Sequence, residues 1–345
     1  MRCLIVYNGA MDILFEALKA LFIGIVEGIT EWLPVSSTGH MILVDEFVKL
    51  DVTQEFLNLF LVVIQIGAIL AVIILYFHKL NPFSPRKTPE QRHGTWRLWG
   101  MVAIGCIPAA IVGFALDDWV NDTFYNAWTV AAMLILYGIV FIIMERRNRN
   151  REAAQLAKGA PQHRIGAHDR AERAAGAHGK HARMQPAVGP GIDGDDAEQS
   201  LFKVHTVDQI DWKTALKIGL FQVLAIIPGT SRSGATIIGG MLCGCSRTAA
   251  AEFTFFLAIP VMLGWGLIKV IKYVAELGLA MTGIEVAILV TGVVTAFVVS
   301  VLAIKFLMGY IKRNDFTAFG IYRIVLGVAV LAFFLITGAQ VGIQS

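Results

Sequence analysis

The sequence predicts an all-α polytopic membrane protein arranged as an inverted-topology repeat, with six full transmembrane helices and two re-entrant helical hairpins. Three observations carry this. Of 345 residues, 56% are hydrophobic and only 16% charged, with a mean hydropathy of +0.64, too apolar for an ordinary soluble domain. Six apolar segments are long enough, or nearly so, to cross about 30 Å of hydrocarbon at about 1.5 Å per residue. Two further apolar regions, broken in the middle, resemble each other at a fixed offset of 195 residues.

In chain order, the first broken region is Ile13 to Val44, interrupted by Pro, Gly and Ser/Thr. It contains Glu16, Glu27 and Glu31 and no small-residue cleavage site, unlike a signal peptide. Full spans follow at Leu57 to Phe77, Leu98 to Leu116 and Ala127 to Met144. The second broken region runs from Trp212 to Cys245, and further spans occupy Glu252 to Ile271, Ile284 to Ile304 and Gly320 to Ile336. Domain boundaries follow: an extension at 1–10, a first repeat at 11–145, an insert at 146–206 and a second repeat at 207–345.

Lys and Arg set the sidedness. Lys79, Arg86, Lys87, Arg92 and Arg97, the Arg-rich insert, and Lys305, Lys312 and Arg313 belong in the cytoplasm. The stretch from Asp117 to Asn126, with three Asp and no Lys or Arg, belongs outside, as does the uncharged tail; Lys269 and Lys272 argue weakly against this scheme. For the signs to agree, each broken region must enter and leave on one face, the first from outside and the second from the cytoplasm. Irregular backbone at that depth needs protein or a watery cavity around it.

Without a gap, Ala20, Leu21, Ile23, Gly24, Ser36 and Gly39 match Ala215, Leu216, Ile218, Gly219, Ser231 and Gly234. Glu27 faces Gln222, Thr38 faces Ser233, and Phe60 and Phe255 extend the register. A hairpin plus three spans is an odd number of crossings, so the second copy must be inverted, a plan that puts a site at the midplane.

The segment Glu145 to His205 carries 11 Lys/Arg and 8 Asp/Glu and reads as a flexible linker between halves. Its five His have neither regular spacing nor Cys partners, so no metal site is read there. The net charge of +3 sits beside apolar segments and points to no nucleic acid. Cys106, Cys243 and Cys245 lie in apolar runs and read as packing residues rather than a metal or redox pair.

Chemistry concentrates in the two hairpins. Glu27 and Glu31, four apart on a helix, project from one face, and two like charges in apolar surroundings call for a shared cation or proton. A divalent cation, Mg2+ or Ca2+, taking oxygens from both and from a phosphate would resolve the conflict. Pro34 stops that helix, after which Ser36, Ser37, Thr38, Gly39 and His40 crowd hydroxyls, N–H groups and an imidazole into a turn; a helix from Ser37 points its N-terminus at an anion there. His40 is read as the one His outside loops and insert, a general acid or a nucleophile. The second hairpin sets Gly229, Thr230, Ser231, Ser233 and Gly234 as a phosphate cradle around Arg232, a cation rarely placed mid-membrane without function. Together these suit phosphoryl transfer on an amphiphile with its anionic head at the site and its tail in lipid, with either Ser37 or His40 attacking or moving a proton, Ser37 preferred.

The strings EGITEWLPVSSTGH and IPGTSRSG, with LNLFLVVIQIGAIL, IPAAIVGFAL and AFVVSVLAIKF, closely resemble the bacterial undecaprenyl-diphosphate phosphatase family linked to bacitracin resistance. The resemblance covers the chain except the first ten residues and the insert. It implies an integral inner-membrane enzyme that removes one phosphate from undecaprenyl diphosphate, recycles the lipid carrier for peptidoglycan, depends on a divalent cation and opens its site to the periplasmic face. The acidic motif falls on Glu27 and Glu31, the Ser/His motif on Ser36, Ser37, Thr38 and His40, and the Arg motif on Ser231, Arg232 and Ser233. A homodimer is left open. The rival readings are a transporter or lipid flippase and a membrane scaffold with a structural metal.

Overall fold

The computed structural model describes residues 2–159, 201–278 and 281–337, and every regular element in them is helical. Eleven α-helices follow in order: α1 (Arg2–Thr30), α2 (Ser37–Phe47), α3 (Gln54–Leu75), α4 (Phe77–Leu80), α5 (Pro89–Phe124), α6 (Ala127–Gly159), α7 (Trp212–Val223), α8 (Arg232–Leu242), α9 (Arg247–Leu277), α10 (Gly283–Tyr310) and α11 (Thr317–Thr337). Six of them, α3, α5, α6, α9, α10 and α11, are long and apolar enough to cross a membrane, and they are the six expected spans. Their starts are capped as the sequence allows. Thr53 accepts from Phe56 N, Ser246 from Ala249 N, and Thr282 and Glu285 form a reciprocal capping box.

Both interrupted regions break. Pro34 has no N–H to offer the Thr30 carbonyl, and α1 ends at Thr30. The second region passes from α7 through a short 3-10 turn, Leu224–Ile226, to α8. At 11 or 12 residues, α2, α7 and α8 reach only about half the hydrocarbon thickness. The long partner α1, at 29 residues, is unlike the 12-residue α7. Within α1, Glu16 is tolerated because Lys19 donates to it at 2.6 Å and Asp51 N at 3.1 Å.

The chain's two ends exchange helices. α1 packs along α10, α7 packs along α5, α3 packs on α9 and α6 on α11. Close approach depends on missing side chains. A Cβ on Gly24 would stand 2.8 Å from the Gly292 carbonyl oxygen, and one on Gly219 only 2.3 Å from that of Gly105. At one end of the bundle Arg247 forms a bidentate pair with Glu145, with contacts of 3.1 and 2.8 Å, and Phe316 N donates to the same carboxylate. Both charged partners are buried, so the pair holds α6, α9 and the start of α11 together at the cost of a structure intolerant to losing either.

Several boundaries differ from expectation. α1 begins at Arg2, so residues 2–10 continue the hairpin helix. α6 continues to Gly159, because Glu152 to Lys158 are good helix formers that carry an apolar span into water. Only residues 201–206 and 146–159 of the linker are described; the flexible-linker reading of 160–200 lies outside the described residues. The acidic stretch after Leu116 is largely helical, since α5 runs to Phe124. His40 is not the one helical His either: His78 lies in α4 and His93 in α5.

Replacing Gly219 with Leu should lower stability by at least about 2–3 kcal/mol, because the clash is with a backbone oxygen that no rotamer change relieves. Gly113→Leu, with nothing within 4 Å, should be near neutral. Thermal unfolding of both variants in detergent checks this; equal midpoints would disprove the tight crossing.

Candidate active site

The two broken regions bring residues 31–36 and 227–231 face to face. Ser36 (φ 73°, ψ 100°) and Ser231 (φ 70°, ψ 118°) are the two non-glycine residues with positive φ among the described residues, and they stand 195 apart. Such backbone costs roughly 1–3 kcal/mol and is held by what surrounds it. Each serine is an N-cap: Ser36 Oγ accepts from Gly39 N at 3.4 Å, and Ser231 Oγ from Gly234 N at 3.1 Å. The twist aims the N-termini of α2 and α8 at one cavity of about 110 Å3, lined from one side by Glu31, Ser37 and Thr38 and from the other by Gly229, Ser231, Arg232 and Ser233. Two positive helix ends and a guanidinium make it an anion site.

Glu31 joins the halves of this cavity. Its Oε1 accepts from Arg232 Nη2 at 2.7 Å and its Oε2 from Ser37 Oγ at 3.0 Å. Ser233 Oγ donates to the Leu33 carbonyl at 3.3 Å and lies 3.1 Å from Ser231 Oγ. One face of the guanidinium, Nη1, is buried with no hydrogen-bond partner, as are Glu27 Oε1 and Thr230 Oγ1. Buried polar atoms left unpaired are uncommon and call for a ligand. Glu27 lies one helical turn before Glu31 and is fully buried. Among the described residues no three His, Cys, Asp or Glu side chains cluster, and Glu27, buried in α1, does not line the cavity, so a cation there would meet Glu31 directly and draw further oxygens from a phosphate or water.

Not every expected residue lines the cavity. Ser36 and Gly234 stand behind it as cap and cap partner, and Thr230 is fully buried. His40 is set to one side. Its Nδ1 lies 2.7 Å from the Ser36 carbonyl, which can only accept, so that nitrogen carries the proton. Its Nε2 lies 2.7 Å from the Tyr322 hydroxyl, which donates to it when the ring is neutral. With both nitrogens engaged, His40 braces the Ser36 turn.

The sequence reading missed Tyr322 and Arg323 on α11. Arg323 is fully buried, stands over the Tyr137 ring at 5.5 Å, and donates from Nη1 to the Pro34 carbonyl at 3.2 Å and from Nη2 to Gly229 and Thr230, both at 2.9 Å. One guanidinium thus staples both turns, since five donors in a rigid fork suit carbonyls that a broken helix leaves unpaired. The signal was present: an Arg inside an apolar span, the same reasoning that singled out Arg232. Gln222, aligned with Glu27, is buried with neither amide atom paired.

The chain matches the family model for bacitracin resistance protein BacA over residues 20–168 and 189–329, so the match enters the insert from both ends and, within the insert, leaves out 169–188. It is 48% identical to the undecaprenyl-diphosphatase of Enterococcus faecalis, over 92% of this chain and 97% of that one. It is 47% identical to the protein of that name from Acetivibrio thermocellus (93% and 99%), and 48% identical to the one from Streptococcus thermophilus strain LMG 18311 (92% and 93%).

Arg323→Met should destabilise the protein by roughly 3 kcal/mol or more, by orphaning carbonyls that cost about 1–3 kcal/mol each when buried unpaired. Tyr322→Phe removes one hydrogen bond and should cost about 1 kcal/mol. Chemical or thermal unfolding in detergent measures both; a fully stable Arg323→Met variant would refute the staple.

Proposed function

The chain belongs to the bacitracin resistance protein BacA family, and from that premise we propose that it is a membrane-embedded phosphatase that hydrolyses undecaprenyl diphosphate to undecaprenyl phosphate and inorganic phosphate. One observation carries the chemistry: a carboxylate, Glu31, that holds the hydroxyl proton of Ser37 on one oxygen and the guanidinium of Arg232 on the other.

Ser37 is the nucleophile in this reading. Its Oγ bonds to the terminal phosphorus as its proton passes to Glu31, the bond from that phosphorus to the bridging oxygen breaks, and undecaprenyl phosphate departs with the electron pair. Water then attacks the phosphoserine, releases inorganic phosphate and restores the hydroxyl. Little covalent work falls to the protein beyond this; most of it is positioning and charge neutralisation. Arg232, with its free Nη1, and the N-termini of α2 and α8 face the oxygens on which negative charge gathers. Thr38, Ser231 and Ser233 add hydroxyl donors. His40 orients Ser36 through its carbonyl, and Tyr322 fixes the ring.

Glu31, and Glu27 through its unpaired buried oxygen, would hold a divalent cation, Mg2+ or Ca2+, which would add to the neutralisation of the diphosphate.

The architecture that serves this activity is an inverted repeat with re-entrant hairpins, the site opening to the outer face of the cell membrane, the inner one where there are two. The paired strained serines, the short α2, α7 and α8 and the exchange of α1 and α7 onto α10 and α5 support it. So does charge: Asp122 at one end of α5 and Arg86, Lys87 and Arg92 at the other. Product recycling for peptidoglycan synthesis and resistance to bacitracin follow from the reaction.

Phosphate release from a polyprenyl diphosphate by the purified protein tests the chemistry. Ser37→Ala and Glu31→Gln should each lose roughly 10³-fold or more in kcat, and Arg232→Lys about 10²- to 10³-fold. Wild-type turnover in all three would refute these residue roles, and no phosphate release by the unmodified protein would return the chain to the transporter class. A single cysteine at Thr123 should react with an impermeant reagent from outside intact cells, and one at Lys312 should not. The reverse pattern would invert the topology.

A further inference from the structure

A second cavity, of about 390 Å3, lies far from the catalytic turns in sequence and structure, between α4, the start of α5 and the 3-10 turn Val207–Gln209. Lys79, Lys87 and Arg97 line it against one carboxylate, Asp208. Their charges are unevenly answered. Lys79 pairs with Glu252 at 2.9 Å. Lys87 Nζ donates only to neutral oxygens, Thr95 Oγ1 at 2.6 Å and the Lys79 carbonyl at 3.1 Å. Arg97 spends its guanidinium on the backbone carbonyls of Asp208 and Ile210, at 2.6 and 3.2 Å. Neither Lys87 nor Arg97 has a carboxylate within 4.0 Å among the described residues. These contacts fix both cations in place without a direct ion pair, and Asp208, which also lies 3.9 Å from Lys79, is the one carboxylate lining the cavity against three cations.

The depth of the cavity is marked by aromatic residues. On the opposite face of the same turn of α5, Trp96 is 54% exposed and packs edge-on against Phe83, 77% exposed, with ring centroids 5.7 Å apart; Trp99 Nε1 donates to the Leu80 carbonyl. An exposed Trp near the start of a spanning helix suits the level of lipid headgroups. Met101 and Leu98 close the inner end of the cavity. A basic pocket at headgroup depth on the cytoplasmic side meets a leaflet rich in anionic phosphodiesters.

We propose that this cavity binds the phosphate of an anionic phospholipid headgroup, with Lys87 and Arg97 as its ligands. The lipid sits in the leaflet opposite the one that presents the substrate, and through Lys79 and Glu252 it touches α9, against which the catalytic helix α8 packs.

The test uses the full chain in nanodiscs of phosphatidylcholine carrying a fluorescent phosphatidylglycerol. Wild type should bind phosphatidylglycerol in preference to phosphatidylcholine, and an excess of inorganic phosphate should not displace it. Each charge near the surface contributes about 1 kcal/mol, so Lys87→Gln should weaken binding about fivefold and Lys87→Glu about 25-fold. Gln91→Glu keeps the acceptor that Thr88 N uses at 3.0 Å, so it folds, and it adds a negative charge to the cavity wall. It should also weaken binding about fivefold, whereas Lys312→Glu, in another basic connection, should not. Equal binding of both lipids, wild-type affinity in Gln91→Glu and Lys87→Gln, or displacement by inorganic phosphate alone would overturn the proposal, the last by showing a free-anion site.

Discussion

Two helices interrupted inside an apolar bundle leave carbonyls and amides that hydrocarbon cannot solvate, and the rest of the structure answers that constraint. The answers come from side chains remote in sequence. Arg323, on the last helix, gathers the carbonyls of Pro34, Gly229 and Thr230. Ser36 and Ser231 take the first amides of the helices that follow. Ser233 reaches the carbonyl of Leu33 across the interface. Remove these and the turns have no reason to lie where they do, because each pays several kcal/mol for unpaired groups in lipid.

The same constraint explains why the site is chemically useful. A helix broken and restarted at membrane depth exposes an amide-rich N-terminus, and two such breaks meeting give two of them aimed at one small space. Glu31 and Arg232 then hold opposite charges at that point, largely buried and mutually paired. Ser37 donates to one oxygen of Glu31 and Arg232 to the other, and Arg232 keeps a donor to spare. Structural and catalytic needs are met by the same atoms.

The centres of the long helices were legible in the sequence, though α5 begins 9 residues before and ends 8 after the expected span. Hydropathy alone located all six long helices, and the Pro, Gly and Ser clusters located both breaks. The offset of 195 anticipated the matched serines because identical residues in identical surroundings adopt the same strained turn. Ends were less legible: α6 extends to Gly159 because helix propensity continues after hydropathy stops. In the site, Glu31, Ser37 and Arg232 stood out as polar residues that an apolar segment should not tolerate. Arg323 obeyed the same rule and was overlooked, since its role depends on three carbonyls that come together only after folding. His40 was assigned to the chemistry on residue type; its partners, a carbonyl and a tyrosine from the far end of the chain, are not visible in local sequence.

The junction of Glu145, Arg247 and Phe316 bears on how such a chain can change over evolutionary time. It joins residues 102 and 171 positions apart at the point where α6 leaves the bundle. The clamp closes on side chains of the described residues, so it joins α6 to α9 and the start of α11 independently of the connection between α6 and α7. Lengthening a connection whose ends are fixed raises its closure entropy only by about 0.6 kcal/mol per doubling. A change in the length of that connection therefore costs little, whereas a change of one side chain at the clamp or at the tight glycine crossings costs much.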